Sequence, residues 1–81
     1  IERDCKRILD TLIKHELASG FCEPVDLEVF TDYLDYVKVP MDLKTLRTKW
    51  FSGRARKGAQ FEVVDFIADV RRVWHNCRMY N

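Results

Sequence analysis

An all-α fold follows from three features of this 81-residue sequence. Apolar residues recur at steps of three and four towards both ends of the chain. No stretch alternates apolar and polar residues as a half-buried strand would, and the one long connection is bracketed by Pro24 and Pro40. The reading is three helices and one structured loop in a single small domain.

The first helix is expected over residues 3–18. Cys5, Ile8, Leu9, Leu12, Ile13 and Leu17 form a wide apolar face, and Lys6, Arg7, Asp10 and Lys14 fall elsewhere. Ser19-Gly20 is read as its end, glycine being suited to the left-handed residue that follows a last turn. Residues 20–41 form the connection. Helix–helix connections are usually about 2–8 residues, so a longer one in a compact domain is functional or disordered. This one carries Phe21, Val25, Leu27, Phe30, Tyr33 and Val37, too apolar a set for disorder, so it should pack on the helices and line something. A short helical turn is expected within Asp32–Val37. Asp42 is the expected N-cap of a second helix, in which Leu43, Leu46 and Trp50 share a face through about residue 51. The third helix is expected from about Gln60 to the end, its apolar stripe running Val64, Ile67, Val70, Trp74 and Cys77. Asn81 arrives where that pattern asks for another buried residue. A buried amide is costly unless the protein or a ligand satisfies it.

The composition, 47% hydrophobic and 33% charged, is that of a globular domain. No apolar run approaches the roughly 18 residues of a membrane span, and Ile1-Glu2-Arg3-Asp4 lacks the order of a signal peptide. No membrane partner is expected. Cys5, Cys22 and Cys77 are odd in number with no C-x-x-C pair, and His15 and His75 lie outside zinc-ligand spacing. Reduced thiols in a cytoplasmic or nuclear protein are therefore expected, with Cys5 and Cys77 as small core residues and no metal or cofactor. The sequence offers no nucleophile–base–orienter set and no glycine-rich phosphate loop, so no catalysis is expected.

Charge is unevenly distributed. Residues 23–35 hold five acids (Glu23, Asp26, Glu28, Asp32, Asp35) and no base, whereas residues 44–57 hold six bases and no acid. The basic stretch has two readings. Lys44, Arg47 and Lys49 can be the solvated face of an amphipathic helix, or the stretch, through Arg54, Arg56 and Lys57, can make weak non-specific contacts to DNA. The acids are either an ordinary solvated loop or an attractant for a basic partner.

Several motifs occur in an order that resembles the bromodomain family across nearly the whole chain. They are Phe21-Cys22-Glu23-Pro24-Val25-Asp26, Tyr33, Pro40-Met41-Asp42-Leu43, Phe66-Ile67-Ala68-Asp69-Val70-Arg71 and Asn76-Cys77-Arg78-Met79-Tyr80-Asn81. The Glu-Pro-Val, Pro-Met-Asp-Leu and Ala-Asp-Val-Arg forms look most like bromodomains found beside PHD fingers in chromatin regulators. The resemblance implies a left-handed four-helix bundle, of which three helices and the long first loop are present here. Residues 1–81 would then be one domain cut short before its last helix, within a larger multidomain nuclear protein.

It also implies an acetyl-lysine pocket. Asn81 would hydrogen-bond the acetyl carbonyl, and Tyr33 would reach it through an ordered water. Phe21 and Val25 would border the methyl end, Pro24 would shape the loop, and Tyr80 and Cys77 would stand on the pocket wall. Phe30 or Val29 would take the apolar loop position along the channel. The implied partner is an acetylated histone tail or another acetylated nuclear protein. One departure is that Ser19-Gly20 stands where many members carry Trp-Pro, an apolar shelf beside the pocket. That departure keeps a second reading open, a bromodomain-like scaffold without acetyl-lysine binding.

Overall fold

A computed structural model describes residues 1–52 and 60–80, apart from the side chain of Leu17. Arg54, Arg56, Lys57 and Asn81, all named above, lie outside the described residues. The described residues form four α-helices and no strand: α1 (Glu2–Lys14), α2 (Tyr33–Tyr36), α3 (Leu43–Phe51) and α4 (Val63–Tyr80), with a 3-10 turn at Glu16–Phe21. The all-α expectation holds, and α2 is the short helical turn expected in the loop. No described helix is long and apolar enough to cross a membrane.

Helix α1 is shorter than its apolar spacing suggests. It stops at Lys14, and His15 is extended with ψ 129°. The chain then winds more tightly. The His15 amide donates to the Leu12 carbonyl (3.1 Å) and the Ala18 amide to the His15 carbonyl (3.0 Å). This change of direction brings both Ala18 and Cys22 into the core beside Leu9, Leu43, Leu46 and Trp50. The Cys22 thiol lies 3.3 Å from the Ala18 carbonyl oxygen, and the Lys44 amide donates to the Cys22 carbonyl at 3.0 Å. Ser19-Gly20 therefore sits inside the 3-10 turn and does not end α1.

Helix α3 begins as its sequence dictates. The Asp42 carboxylate accepts from the Thr45 amide (2.9 Å) and from the Thr45 hydroxyl (2.6 Å), satisfying a donor of the first turn. Leu43, Leu46 and Trp50 are all buried, one turn apart on the inner face. Polar contacts tie α3 to both neighbours. Arg47 reaches Asp10 of α1 at 2.6 Å, while Trp50 Nε1 and Lys49 Nζ both donate to the Asp69 carboxylate of α4 at 2.7 Å.

The face that α4 buries is only partly the one its spacing picks out: Val70 and Trp74 of the expected stripe pack against the core, but its first two residues do not. Val64 and Ile67 are 75% and 42% exposed, and the buried residues are Phe66, Val73 and Asn76. Helical spacing shows that an apolar stripe exists, but α4 carries apolar residues around more than one side. Packing against Trp50 and Phe51 of α3 selects Phe66 (ring centroids 6.2 and 5.6 Å).

The Arg47–Asp10 pair makes a pH prediction. The hydrogen bond from Arg47 holds the Asp10 carboxyl below its ordinary value, with burial opposing and the nearby charges of Arg47, Lys6 and Lys14 assisting. A carboxylate whose folded pKa is depressed contributes stability above its unfolded value, roughly pH 4. That contribution is lost as pH falls through the lower folded value. The Asp10→Asn protein should be less stable near pH 7 and lose less stability than wild type on acidification below about pH 4. Parallel pH profiles of the melting temperature would contradict this.

Candidate functional site

The long loop and the C-terminal half of α4 enclose a cavity of about 200 Å³. This is smaller than the roughly 300–1,000 Å³ of drug-sized clefts and suits the end of a single side chain. From the loop come Phe21, Val25, Phe30, Tyr33 and Met41, and from α4 come Val73, Asn76, Cys77 and Tyr80. Gly20, Glu23 and Asp42 complete the wall.

Each side chain arrives for a local reason. On α4, Asn76, Cys77 and Tyr80 follow Val73 by three, four and seven residues, so they share the face turned to the loop. On the loop, the Asp26 carboxylate accepts from the Glu28 amide (2.9 Å) and the Asp26 carbonyl from the Phe30 amide (2.9 Å). That turn directs Phe30 towards Tyr80. Helix α2 buries Tyr33 and is followed by the fully buried Val37. Phe21 is held edge-on by Trp74, with ring centroids 5.1 Å apart.

Two interactions fasten the loop to α4. The Asn76 side-chain amide donates to the Val39 carbonyl at 2.8 Å. The Tyr80 hydroxyl donates to the Asp32 carboxylate at 2.7 Å, and the Tyr80 ring packs edge-on against Tyr33 (4.9 Å), Tyr36 (5.8 Å) and Phe30 (6.1 Å). Both phenols facing the cavity are held protonated. The hydrogen bond to Asp32 raises the Tyr80 pKa, with burial adding to it, and burial raises that of Tyr33, with Cys77 nearby adding to it. At neutral pH the cavity therefore has largely apolar and aromatic walls bearing neutral hydroxyls and one buried amide, with two engaged carboxylates, Glu23 beside Lys44 and Asp42 at the start of α3.

Of the residues expected at the site, Phe21, Val25, Phe30, Tyr33, Cys77 and Tyr80 line this one cavity. Phe30, not Val29, is the loop residue that reaches it. Pro24 lies outside it, in two adjoining depressions beside Val25. Cys77 is half-buried on the cavity wall, as the resemblance implies, rather than a core residue, and the buried cysteine is Cys22. Asn76 was not expected as a wall residue. Its burial (3% exposed) and its partner 37 residues away are tertiary facts, and the only local hint is its position three residues after Val73.

The described bases of residues 44–57 are engaged. Lys44 reaches Glu23 (3.0 Å), Arg47 reaches Asp10 and Lys49 reaches Asp69. For these three, the solvated-face reading is the better one. Among the described residues, no group of three or more His, Cys, Asp or Glu could hold a metal ion.

The fold and cavity define a class first: a small helical module with a slot between a loop and a helix. Comparison with known proteins makes the class specific. The family model described as Bromodomain matches residues 5–81. The chain is 36% identical over 81 residues to E3 ubiquitin-protein ligase TRIM33 of Mus musculus, covering 99% of this chain and 7% of that protein. It is 35% identical over 78 residues to nucleosome-remodeling factor subunit NURF301 of Drosophila melanogaster, covering 96% of this chain and 3% of that protein. The solved bromodomain of human BAZ1A superposes with a TM-score of 0.79 at 26% identity, covering 95% of this chain and 67% of that one.

The chain belongs to the bromodomain family, and it is a non-catalytic recognition module. It spans only a small part of the length of the curated relatives it matches, which include a nucleosome-remodeling subunit.

Proposed function

We propose that this domain reads acetylated lysine on histone tails or other nuclear proteins, as one module of a larger chromatin regulator. The observation that carries the reading is the cavity itself. It is about 200 Å³ and is walled mainly by Phe21, Val25, Phe30, Tyr33, Cys77 and Tyr80, and its two wall carboxylates are already engaged, Glu23 by the Lys44 ammonium and Asp42 by Thr45. An unmodified lysine is an ammonium, and burying it there without a counter-charge costs several kcal/mol. Acetylation removes the charge and presents a methyl and a carbonyl acceptor. Selectivity is then a difference of two affinities, much of it from rejecting the cation.

Asn81 is the proposed donor to the acetyl carbonyl. An asparagine suits that role because its NH₂ can donate to a ligand while its own carbonyl accepts from the protein. The loop acids Asp26, Glu28 and Asp35, all exposed, would favour the approach of a basic tail. A further helix, as the family's bundle implies, is proposed to cover the exposed Ile8, Val64 and Ile67.

Adding an acetyl-lysine peptide to isotope-labelled protein should shift the backbone amide resonances of Val25, Tyr33, Cys77 and Tyr80. Shifts confined to residues 44–57 would move the binding site to the basic stretch and overturn the reading.

A further inference from the structure

Nothing among the described residues requires a glycine at position 20. Gly20 does not occupy the left-handed region, and a Cβ placed there would meet no heavy atom within 4 Å. A glycine inside a helical turn also loses more conformational freedom on folding than any other residue. What the missing side chain does is open the rim of the cavity. Gly20 lines both the 200 Å³ cavity and a broader depression of about 610 Å³ beside it, and Glu23, Val25 and Phe30 are also common to the two.

The chemistry of the second depression is set by shape more than by charge. Glu16, Glu23 and Asp26 face Lys14 and Lys44 there, and Glu23 is already 3.0 Å from the Lys44 ammonium. Its apolar surface comes chiefly from half-buried Ile13 and Val25, from exposed Pro24 and from Phe30, which is 46% exposed. A ring or branched chain entering past Gly20 would lie against these residues.

We propose that Gly20 is a specificity-determining position: the gap it leaves admits a bulky apolar side chain of the partner, adjacent in sequence to the acetylated lysine. This rests on reading the first cavity as the acetyl-lysine site. The two sites are continuous, so one short peptide can occupy both.

The test is a calorimetric titration of the full chain with acetyl-lysine peptides that differ only at the residues flanking the acetylated lysine, which are Phe, Gly or Arg, together with an unmodified twin of the Phe peptide. The Phe peptide should bind about tenfold more tightly than the Gly peptide, the order expected of one partly buried apolar group. Gly20→Trp should bring the two within about twofold by filling the gap with an indole. Gly20→Ala, which adds one methyl to open space, should give an intermediate ratio and covers the case in which the larger residue misfolds. Equal affinities for the Phe and Gly peptides in wild type would overturn the inference, as would an Arg peptide that binds more tightly than the Phe peptide. An unmodified twin that binds as well as its acetylated counterpart would instead overturn the reading of the first cavity, and this inference with it.

Discussion

Asn76→Ala is expected to destabilise the domain by about 2–3 kcal/mol in urea unfolding, a large loss for a single polar side chain. Two effects add. Truncating a residue that is 3% exposed leaves a void between α4 and the loop. The Val39 carbonyl also loses its donor at 2.8 Å. Val39 is about half exposed (51%), so water can reach the freed carbonyl and offset part of the second cost. The void is therefore the larger effect. Asn76→Leu separates the two, since it keeps volume and removes the donor, and it should recover part of the loss but not all of it. Binding should weaken in both variants, because the Asn76–Val39 contact holds the loop segment that precedes Met41, a cavity residue. A loss below about 0.5 kcal/mol in Asn76→Ala, the range of an ordinary surface change, would contradict this account.

The second large effect is expected at Trp50. Its indole is buried between α3 and α4, with Phe61 at 5.6 Å and Phe66 at 6.2 Å, and its Nε1 donates to Asp69 at 2.7 Å. Removing a buried tryptophan costs about 3–5 kcal/mol. A small domain has a total stability of only about 5–15 kcal/mol, so Trp50→Ala should remove a large part of it. The loss of Nε1 also leaves the Asp69 carboxylate, among the described residues, with Lys49, half exposed and weakly held, as a partner. Trp50→Phe keeps ring packing and drops only the hydrogen bond and part of the area, so it should cost less than half as much. At roughly 4–8 °C per kcal/mol for a domain of this size, the alanine variant should melt more than about 12 °C below wild type. A shift of only a few degrees would mean that the α3–α4 contact matters less than its geometry indicates.

Features of this fold that depend on neighbours along the chain were legible in the sequence. Asp42 caps α3 because a carboxylate three residues before Thr45 can reach its amide, and Leu43, Leu46 and Trp50 face inwards because their spacing matches the helix. The motifs of the loop and α4 sufficed to bring Phe21, Val25, Tyr33, Cys77 and Tyr80 to one cavity. Features set by partners distant in sequence were not legible. Spacing alone carries α1 on to residue 18, because nothing local shows that Ala18 and Cys22 must both turn into the core. It assigns Val64 and Ile67 to the buried face of α4, because periodicity cannot tell which of two apolar sides meets α3. Nothing local marks Asn76 as a buried amide, because its partner, Val39, lies 37 positions away in the chain. Nor does spacing show that Lys44, Arg47 and Lys49, the described bases of the basic stretch, meet acids 20 to 37 positions away in the chain.

The central claim is that the cavity between the loop and α4 distinguishes acetylated from unmodified lysine, with Asn81 as donor to the acetyl carbonyl. The most direct test is the ratio of affinities for one peptide in its acetylated and unmodified forms, measured by calorimetry on the full-length wild-type protein and on Asn81→Ala. The account predicts a preference for the acetylated form of at least about tenfold in wild type, equivalent to roughly 1.4 kcal/mol, which is within the range of a single buried hydrogen bond. In Asn81→Ala that preference should fall towards unity. A wild-type ratio near one would contradict the proposed function, and a preference that survives in Asn81→Ala would remove Asn81 from its role.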